Sequence, residues 1–269
     1  MAGGIGFMDN RPIGMFDSGV GGMTVFREVA KGLPNESIIY IGDTASFPYG
    51  SKSKETIVEL SKRQVENLIQ KDAKLIIIAC GTATSQALIE MRKMFNIPII
   101  GIIESTVKYI KEKNYKKIGV IATTGTIRSK GWQTAIENDI EDCSVQSKAC
   151  PLLAPMAEEG WIENDIAKLT IHEYIKDFKD IDTLVLGCTH YPLFEKFIIN
   201  ELEAGVDVIN TGKMVSTYVN NFLIQNKMQH DLSCKPTYEI YLTDTESNFL
   251  NVASKLLQND MITNNIKKI

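Results

Sequence analysis

Cysteine is sparse in this chain and never paired in sequence. The five cysteines stand at 80, 143, 150, 188 and 234, with no C-x-x-C among them. The three histidines, His172, His190 and His230, are equally scattered. Structural zinc sites draw on tight local ligand pairs, so a zinc fold is excluded, and an odd, dispersed set of thiols suits a reducing, cytoplasmic setting. No apolar run approaches the roughly 18 residues that a membrane span needs. The first residues, Met1 to Asp9, lack the basic and apolar regions of a signal peptide. Neither charge sign dominates: the net charge of −4 gives no reason to expect a nucleic acid or an anionic membrane as partner. The glycines at 19, 21 and 22 do not make a G-x-G-x-x-G, so a dinucleotide site is excluded too.

What is present is a strand-then-helix pattern, written twice. Ile13 to Phe16 reads as a strand, followed by the loop Asp17-Ser-Gly-Val-Gly-Gly22 and a helix over 23–31 with Val25, Val29 and Ala30 inward. Ser37 to Ile41 is a second strand. A helix over 54–71 turns Ile57, Leu60, Val65, Leu68 and Ile69 inward. The strand from Leu75 ends at Cys80; a helix over 84–95 and a strand over 98–103 follow. Lys117 to Ala122 opens the second set, ending in the hydroxyl-rich turn 123–126. A helix over 128–141, a strand over 144–149, an extended crossover over 151–155, a helix over 165–178 and the strand before Cys188 complete it. Then come a helix over 193–202, a strand over 206–210, a helix from Thr211 to about 225, a strand over 238–243, a helix over 246–257 and a frayed tail over 259–269. The alternation implies an α/β fold with mainly parallel sheets. Residues 1–99 with 210–269 are expected to form one unit and 100–209 a similar second one.

Two strands end alike. Leu75-Ile-Ile-Ile-Ala runs into Cys80-Gly81-Thr82, and Thr183-Leu-Val-Leu-Gly into Cys188-Thr189-His190. Ligands of open α/β sheets bind beyond the carboxyl ends of the strands. Two thiols, one from each unit, are therefore candidates to face each other across a ligand. A helix N-terminus lowers a thiol's pKa, so both are expected to reach the thiolate. Taking a proton from one face of a carbon and returning one to the other face needs one thiolate and one thiol, which exchange roles in reverse. That is racemisation without a cofactor. Ser18, Thr82, Thr189 and backbone N–H groups would stabilise the carbanion-like transition state through the substrate carboxylate. Asp17, Asp43, Glu158 and His190 would orient or tune the thiols. The Asp17–Gly22 loop suits a small zwitterion, with Asp17 meeting an ammonium, and Ser18 and free N–H groups a carboxylate. Cys143, Cys150 and Cys234 read as inert. Two other readings stay open: a hydrolase using Cys188 with His190, which needs one thiol only, and a binding protein without catalysis.

Six stretches together resemble the glutamate racemases of the aspartate/glutamate racemase superfamily. They are Gly14 to Val25, Tyr40 to Gly50, Ile78 to Thr84, Gly119 to Thr126, Glu158 to Gly160 and Leu186 to Leu193. The resemblance implies two pseudo-symmetric α/β domains with the active site in the cleft between them, no cofactor and no metal. It implies that Cys80 deprotonates D-glutamate and Cys188 L-glutamate. By motif match, Asp17, Ser18, Tyr49, Gly50, Gly81, Thr82, Thr189 and His190 line the substrate, with Thr123 and Thr126 nearby, and Asp43 and Glu158 are supporting acids. It further implies a cytoplasmic homodimer that supplies D-glutamate for peptidoglycan. Aspartate is the alternative substrate. The chain departs from the family's usual pattern at Gly81, where Asn is common, and at Ser46, where Arg often stands.

Overall fold

The computed structural model describes residues 8–245 and 266–269. Its framework is two parallel sheets flanked by helices, the expected α/β class. In the first half, β1 (Ile13–Asp17), α1 (Met23–Gly32), β2 (Ile38–Gly42), α2 (Lys54–Gln70), β3 (Leu75–Ile78), α3 (Gly81–Met94), β4 (Ile99–Gly101) and α4 (Ile102–Glu112) follow in order. The second half runs β5 (Lys117–Ala122), α5 (Thr124–Arg128), α6 (Gly131–Asp139), β6 (Ser144–Ala149), α7 (Leu153–Glu158), α8 (Asp165–Ile175), β7 (Thr183–Leu186), α9 (Glu195–Glu201) and β8 (Asp207–Asn210). Then α10 (Thr211–Asn226), β9 (Tyr238–Leu242) and β10 (Ile266–Lys268) close the chain.

The sheets are ordered β10-β9-β2-β1-β3-β4 and β6-β5-β7-β8. Leave out β9 and β10, and both sheets show one order: second, first, third, fourth strand. The register matches as well, since Ile13 pairs with Ile38 and Leu75 while Ile118 pairs with Val145 and Thr183. Each order reverses beside its first strand, the place where open α/β sheets take ligands. Cys80 and Cys188 follow the third strands, β3 and β7, which border those points.

Burial explains the strands. All four residues of β3 and all four of β7 are buried, as central parallel strands covered on both faces require. One apolar cluster joins the halves: Val25 and Val29 of α1, Val107 and Ile110 of α4, Trp132 of α6 and Val215 and Val219 of α10 belong to it together with strand residues of both sheets. α10 packs on α1 and α4.

Several expected boundaries move, for local reasons. α3 begins at Gly81, three residues before the expected start, because Cys80 caps it: the sulfur accepts the Ala83 N–H at 3.5 Å. β4 is short, and Ile102 and Ile103 already belong to α4, whose Glu104 carboxylate accepts the Gly101 N–H at 3.2 Å. The helix expected over 128–141 is split, with Lys130 at φ +55° between α5 and α6. The crossover expected over 151–155 is helical from Leu153, because Pro155 falls in the first turn, where its missing N–H is not needed. Ile69 is 39% exposed, so the inner face of α2 ends at Leu68. A 3-10 turn, Tyr191–Phe194, precedes α9. The helix expected over 246–257 lies outside the described residues. In the tail expected to fray, residues 266–268 pair with β9 as an edge strand instead.

At the end of the first sheet opposite the cysteine, Lys74 is fully buried and saturated. Its ammonium donates to Glu36 Oε2 at 2.6 Å and to the carbonyls of Asp9 and Met228 at 2.8 Å each. Removing the cation would leave the Glu36 carboxylate buried without its partner. We expect Lys74→Ala to lower stability in chemical denaturation by about 3–5 kcal/mol, far more than an exposed lysine such as Lys168 would.

Candidate active site

Two strand-to-helix turns make the floor. Cys80 is 5% exposed and Cys188 6% exposed. Together with Ser18, Tyr49, Gly50, Gly81, Thr82, Thr123, Thr189 and His190 they line one cavity of about 20 Å³. That is room for about one water molecule. Phe47, Pro48, Ala154 and Gly187 complete its wall. The first N–H groups of a helix have no intrahelical acceptor, so those of Gly81 and Thr82 at the start of α3 are free to meet a carboxylate. Three hydroxyls form a triangle beside them. Thr82 Oγ1 lies 2.9 Å from Thr123 Oγ1 and 3.1 Å from Thr126 Oγ1, and the last two are 2.9 Å apart. Thr82 comes from the first half and its two partners from the second, so the triangle spans the seam.

The two thiols have different company. Cys80 Sγ meets the Ser18 hydroxyl at 3.5 Å and the Ala83 N–H, both neutral groups. Burial pushes the Cys80 thiol up to about 12, with the nearby Asp17 charge adding to it. The lowered pKa expected from the helix N-terminus is therefore not found at Cys80, because desolvation outweighs one N–H donor. Cys188 Sγ lies 3.7 Å from His190 Nδ1, and His190 Nε2 lies 2.6 Å from Glu158 Oε1. Burial alone would lower the His190 pKa, but its hydrogen bonds with Cys188 and Glu158 prevail and raise it well above the usual imidazole value. A buried carboxylate thus holds a cationic imidazole against one thiol.

The geometry can be set beside known proteins. The family model for Asp/Glu/Hydantoin racemase matches residues 14–218. The glutamate racemase of Aquifex aeolicus is 44% identical over 238 residues, 88% of this chain and 90% of the relative. That of Geobacter metallireducens is 37% identical over 250 residues, 92% and 93% of the two chains. The crystal structure of glutamate racemase from Francisella tularensis in complex with D-glutamate aligns with a TM-score of 0.89 at 36% identity, covering 97% of this chain and 98% of that one. The chain belongs to the Asp/Glu/Hydantoin racemase family. It is an amino-acid isomerase.

Not every residue expected to touch substrate in this racemase lies at the cavity. Asp17 is fully buried behind it. Its Oδ2 accepts the N–H groups of Gly19 at 3.1 Å and Gly22 at 3.0 Å, and its Oδ1 accepts the Thr189 hydroxyl at 3.4 Å. The Gly-rich loop is therefore satisfied by its own carboxylate, which leaves those two donors unavailable to a ligand. Asp43 also stands behind the wall, accepting from Tyr49 Oη at 2.7 Å and Thr243 Oγ1 at 2.9 Å. Burial raises the Tyr49 pKa far above the usual phenol value, so Tyr49 remains a donor. Glu158 sits beyond His190, and Thr126 under Thr123. Glu159 is exposed, which separates it from its neighbour.

Some parts of the site were missed in the sequence. The Phe47 ring packs on the His190 ring at 5.7 Å, and Thr24 Oγ1 donates to the Thr189 carbonyl at 2.8 Å. Both lie inside matched stretches, but nothing local marks an apolar or a helical residue as a support. Thr243 and Ala154 come from the stretches over 238–243 and 151–155, where nothing local marks a site residue. Among the described residues no group of three His, Cys, Asp or Glu could hold a metal ion. No described helix is long and apolar enough to cross a membrane.

Two pH effects follow from these environments. Burial raises the Asp17 carboxyl to about 6, against about 3.8 for a free one. The folded state then binds the proton more tightly than the unfolded one. That stability is full below about pH 3.9 and is lost as pH rises through about 6. Relative to Asp17→Asn, the wild type should lose about 2–3 kcal/mol of stability between roughly pH 4 and pH 7; parallel denaturation curves across that window would contradict it. For Cys80, site-mapped alkylation in a Cys188→Ser background should climb about tenfold per pH unit through about pH 10 without a plateau. A plateau near the usual thiol value of about 8.5 would contradict the burial argument.

Proposed function

We propose that this racemase interconverts L- and D-glutamate by a two-base mechanism without a cofactor, using Cys80 and Cys188 on opposite faces of the α-carbon. The observation that carries the reading is the pair of buried thiols, delivered to one small cavity by the third strands of two equivalent sheets. The names of the relatives and the D-glutamate in the Francisella complex support glutamate as the substrate.

Cys188 as thiolate takes the α-proton of L-glutamate: the C–H bond breaks, an S–H bond forms, and the electron pair stays on the carbon and its carboxylate. The Cys80 thiol then gives its proton to the other face, forming the new C–H bond and leaving Cys80 as thiolate. The reverse reaction exchanges the roles. The environments suit this order, since the free protein keeps Cys80 protonated by burial and gives Cys188 a cationic neighbour in His190. The N–H groups of Gly81 and Thr82, with the three threonine hydroxyls, offer donors to a substrate carboxylate as negative charge develops. Glutamate is far larger than one water, so the seam must part to admit it. Closure then excludes water from the carbanion.

The proposal extends to place and assembly. The chain would supply D-glutamate for peptidoglycan in the cytoplasm, as a homodimer, with 1–99 plus 210–269 and 100–209 as the domains that move. A second reading has one observation in its favour: Cys188, His190 and Glu158 form a hydrogen-bonded row of the kind a Cys-His hydrolase uses.

Circular dichroism on each enantiomer in heavy water, with no cofactor added, separates the readings. Racemisation of both with deuterium entering the α-carbon is expected. Cys80→Ser and Cys188→Ser should each reduce it by about 10³-fold or more. If Cys80→Ser retained full activity, the two-thiol mechanism would fall and the one-thiol reading would gain. Turnover of aspartate with inert glutamate would move the substrate and leave the chemistry.

A further inference from the structure

The Thr189 carbonyl lacks the donor that its own turn would supply. His190 is helical, at φ −79° and ψ −25°, and the 3-10 turn Tyr191–Phe194 follows it. In such a turn each carbonyl takes the N–H three residues on. The Cys188 carbonyl takes the Tyr191 N–H at 3.1 Å, and the His190 carbonyl takes the Leu193 N–H at 3.2 Å. Between them the Thr189 carbonyl meets Pro192, which has no N–H to give. Thr189 is buried, and a buried carbonyl without a donor is costly. Its donor among the described residues is the Thr24 hydroxyl at 2.8 Å, from the first turn of α1 in the other half.

That hydroxyl has one proton and a second carbonyl in reach, Gly21 of its own loop at 3.0 Å. The Gly21 carbonyl already takes the Thr24 N–H at 3.0 Å. While the halves are together, the proton therefore belongs to Thr189. When they part, the Thr189 carbonyl meets water, and the hydroxyl turns back to Gly21, as threonine commonly does within a helix. The hydroxyl has an acceptor in both arrangements, whereas the carbonyl needs it only in the closed one. The bond thus weighs on the closed side alone. It acts where it matters, since Thr189 stands between Cys188 and His190, and Asp17 of the first half also holds its hydroxyl, at 3.4 Å.

We infer that Thr24 is a positioning residue that fastens the Cys188–His190 turn to the first half: its hydroxyl supplies the hydrogen bond that Pro192 denies the Thr189 carbonyl, and only while the site is shut. The catalytic meaning of this fastening rests on the racemase reading, but the fastening itself can be read without turnover.

The test uses the full chain as wild type, as Thr24→Val, which keeps the shape and removes the hydroxyl, and as Thr24→Ser, which keeps the hydroxyl. Labelling of Cys188 by a small thiol reagent, mapped by mass spectrometry at one pH without substrate, reports the open fraction. It should rise about tenfold in Thr24→Val and stay within about twofold of wild type in Thr24→Ser, with cooperative melting retained in both. In Thr24→Val, kcat/KM for both enantiomers of glutamate should fall by a similar factor, and Thr24→Ser should restore it. Pro192→Ala returns an N–H to the turn, so in that background Thr24→Val should raise labelling by about threefold or less. Unchanged labelling in Thr24→Val would overturn the inference. So would an equal rise in Thr24→Ser, which would make the methyl group and not the hydroxyl the cause, and a full tenfold rise in the Pro192→Ala background. Loss of cooperative melting in Thr24→Val would overturn it as well, by making Thr24 a core position. If labelling follows the expected pattern while the wild type leaves glutamate untouched, the fastening stands and the racemase mechanism fails.

Discussion

Two turns, Cys80–Gly81 and Gly187–Cys188, approach each other with no side chain between them, and the rest of the site depends on that approach. A parallel sheet presents its strand ends to solvent and encloses nothing alone. Two such sheets, whose third strands lead into the same cavity through Cys80 and Cys188, enclose a space that neither encloses alone. The hydroxyl triangle, the contact of Gly21 with His190 and the packing of Phe47 on His190 are formed only when the edges meet. Each thiol also packs into the apolar cluster of its own half, Cys80 with Phe16, Ile78 and Ala83, and Cys188 with Leu153, Leu186 and Tyr191.

The backbone repeats, but the polar partners do not. After the second strand of each sheet comes an acid, Asp43 after β2 and Glu158 after β6. Asp43 serves Tyr49 and Thr243, whereas Glu158 serves His190 and through it Cys188. One duplicated frame thus gives one thiol neutral hydrogen-bond partners and the other an ion pair. The proposed two-base mechanism has no need of mirror-image electrostatics, since in it the two thiols begin each turnover in different protonation states.

Such a site carries a cost in stability. Asp17, Glu158 and His190 are charged or readily charged, and all are buried. An unpaired buried charge is expensive, so each is held by specific partners: two N–H groups and a hydroxyl at Asp17, and one another at Glu158 and His190. These partners come from both sheets, as Thr189 on Asp17 shows. Parting the halves for a ligand therefore disturbs the hydrogen bonds that make burial tolerable. A site of this kind favours the closed arrangement unless a ligand supplies replacements.

The α/β class, the order of the strands up to β9 and the two thiols at strand ends were legible in the sequence, because apolar runs and their Gly and Pro punctuation are local signals. So were Thr82, Thr189 and His190, which adjoin those ends, and Ser18, which adjoins the end of β1. The start of α3 was not, because a cysteine cap formed by one sulfur contact looks like loop until the chain is folded. Tertiary structure alone decided that Asp17 closes its own loop, that Glu158 and not Glu159 reaches His190, and that Thr243 supports Asp43 from 200 residues away. It alone decided the rise of the Cys80 pKa, since desolvation depends on what covers a group and not on its neighbours in sequence. The glycine at 81 was visible from the start; what lies against it was not, because the carbonyl oxygen that approaches it belongs to Gly187, in the other sheet.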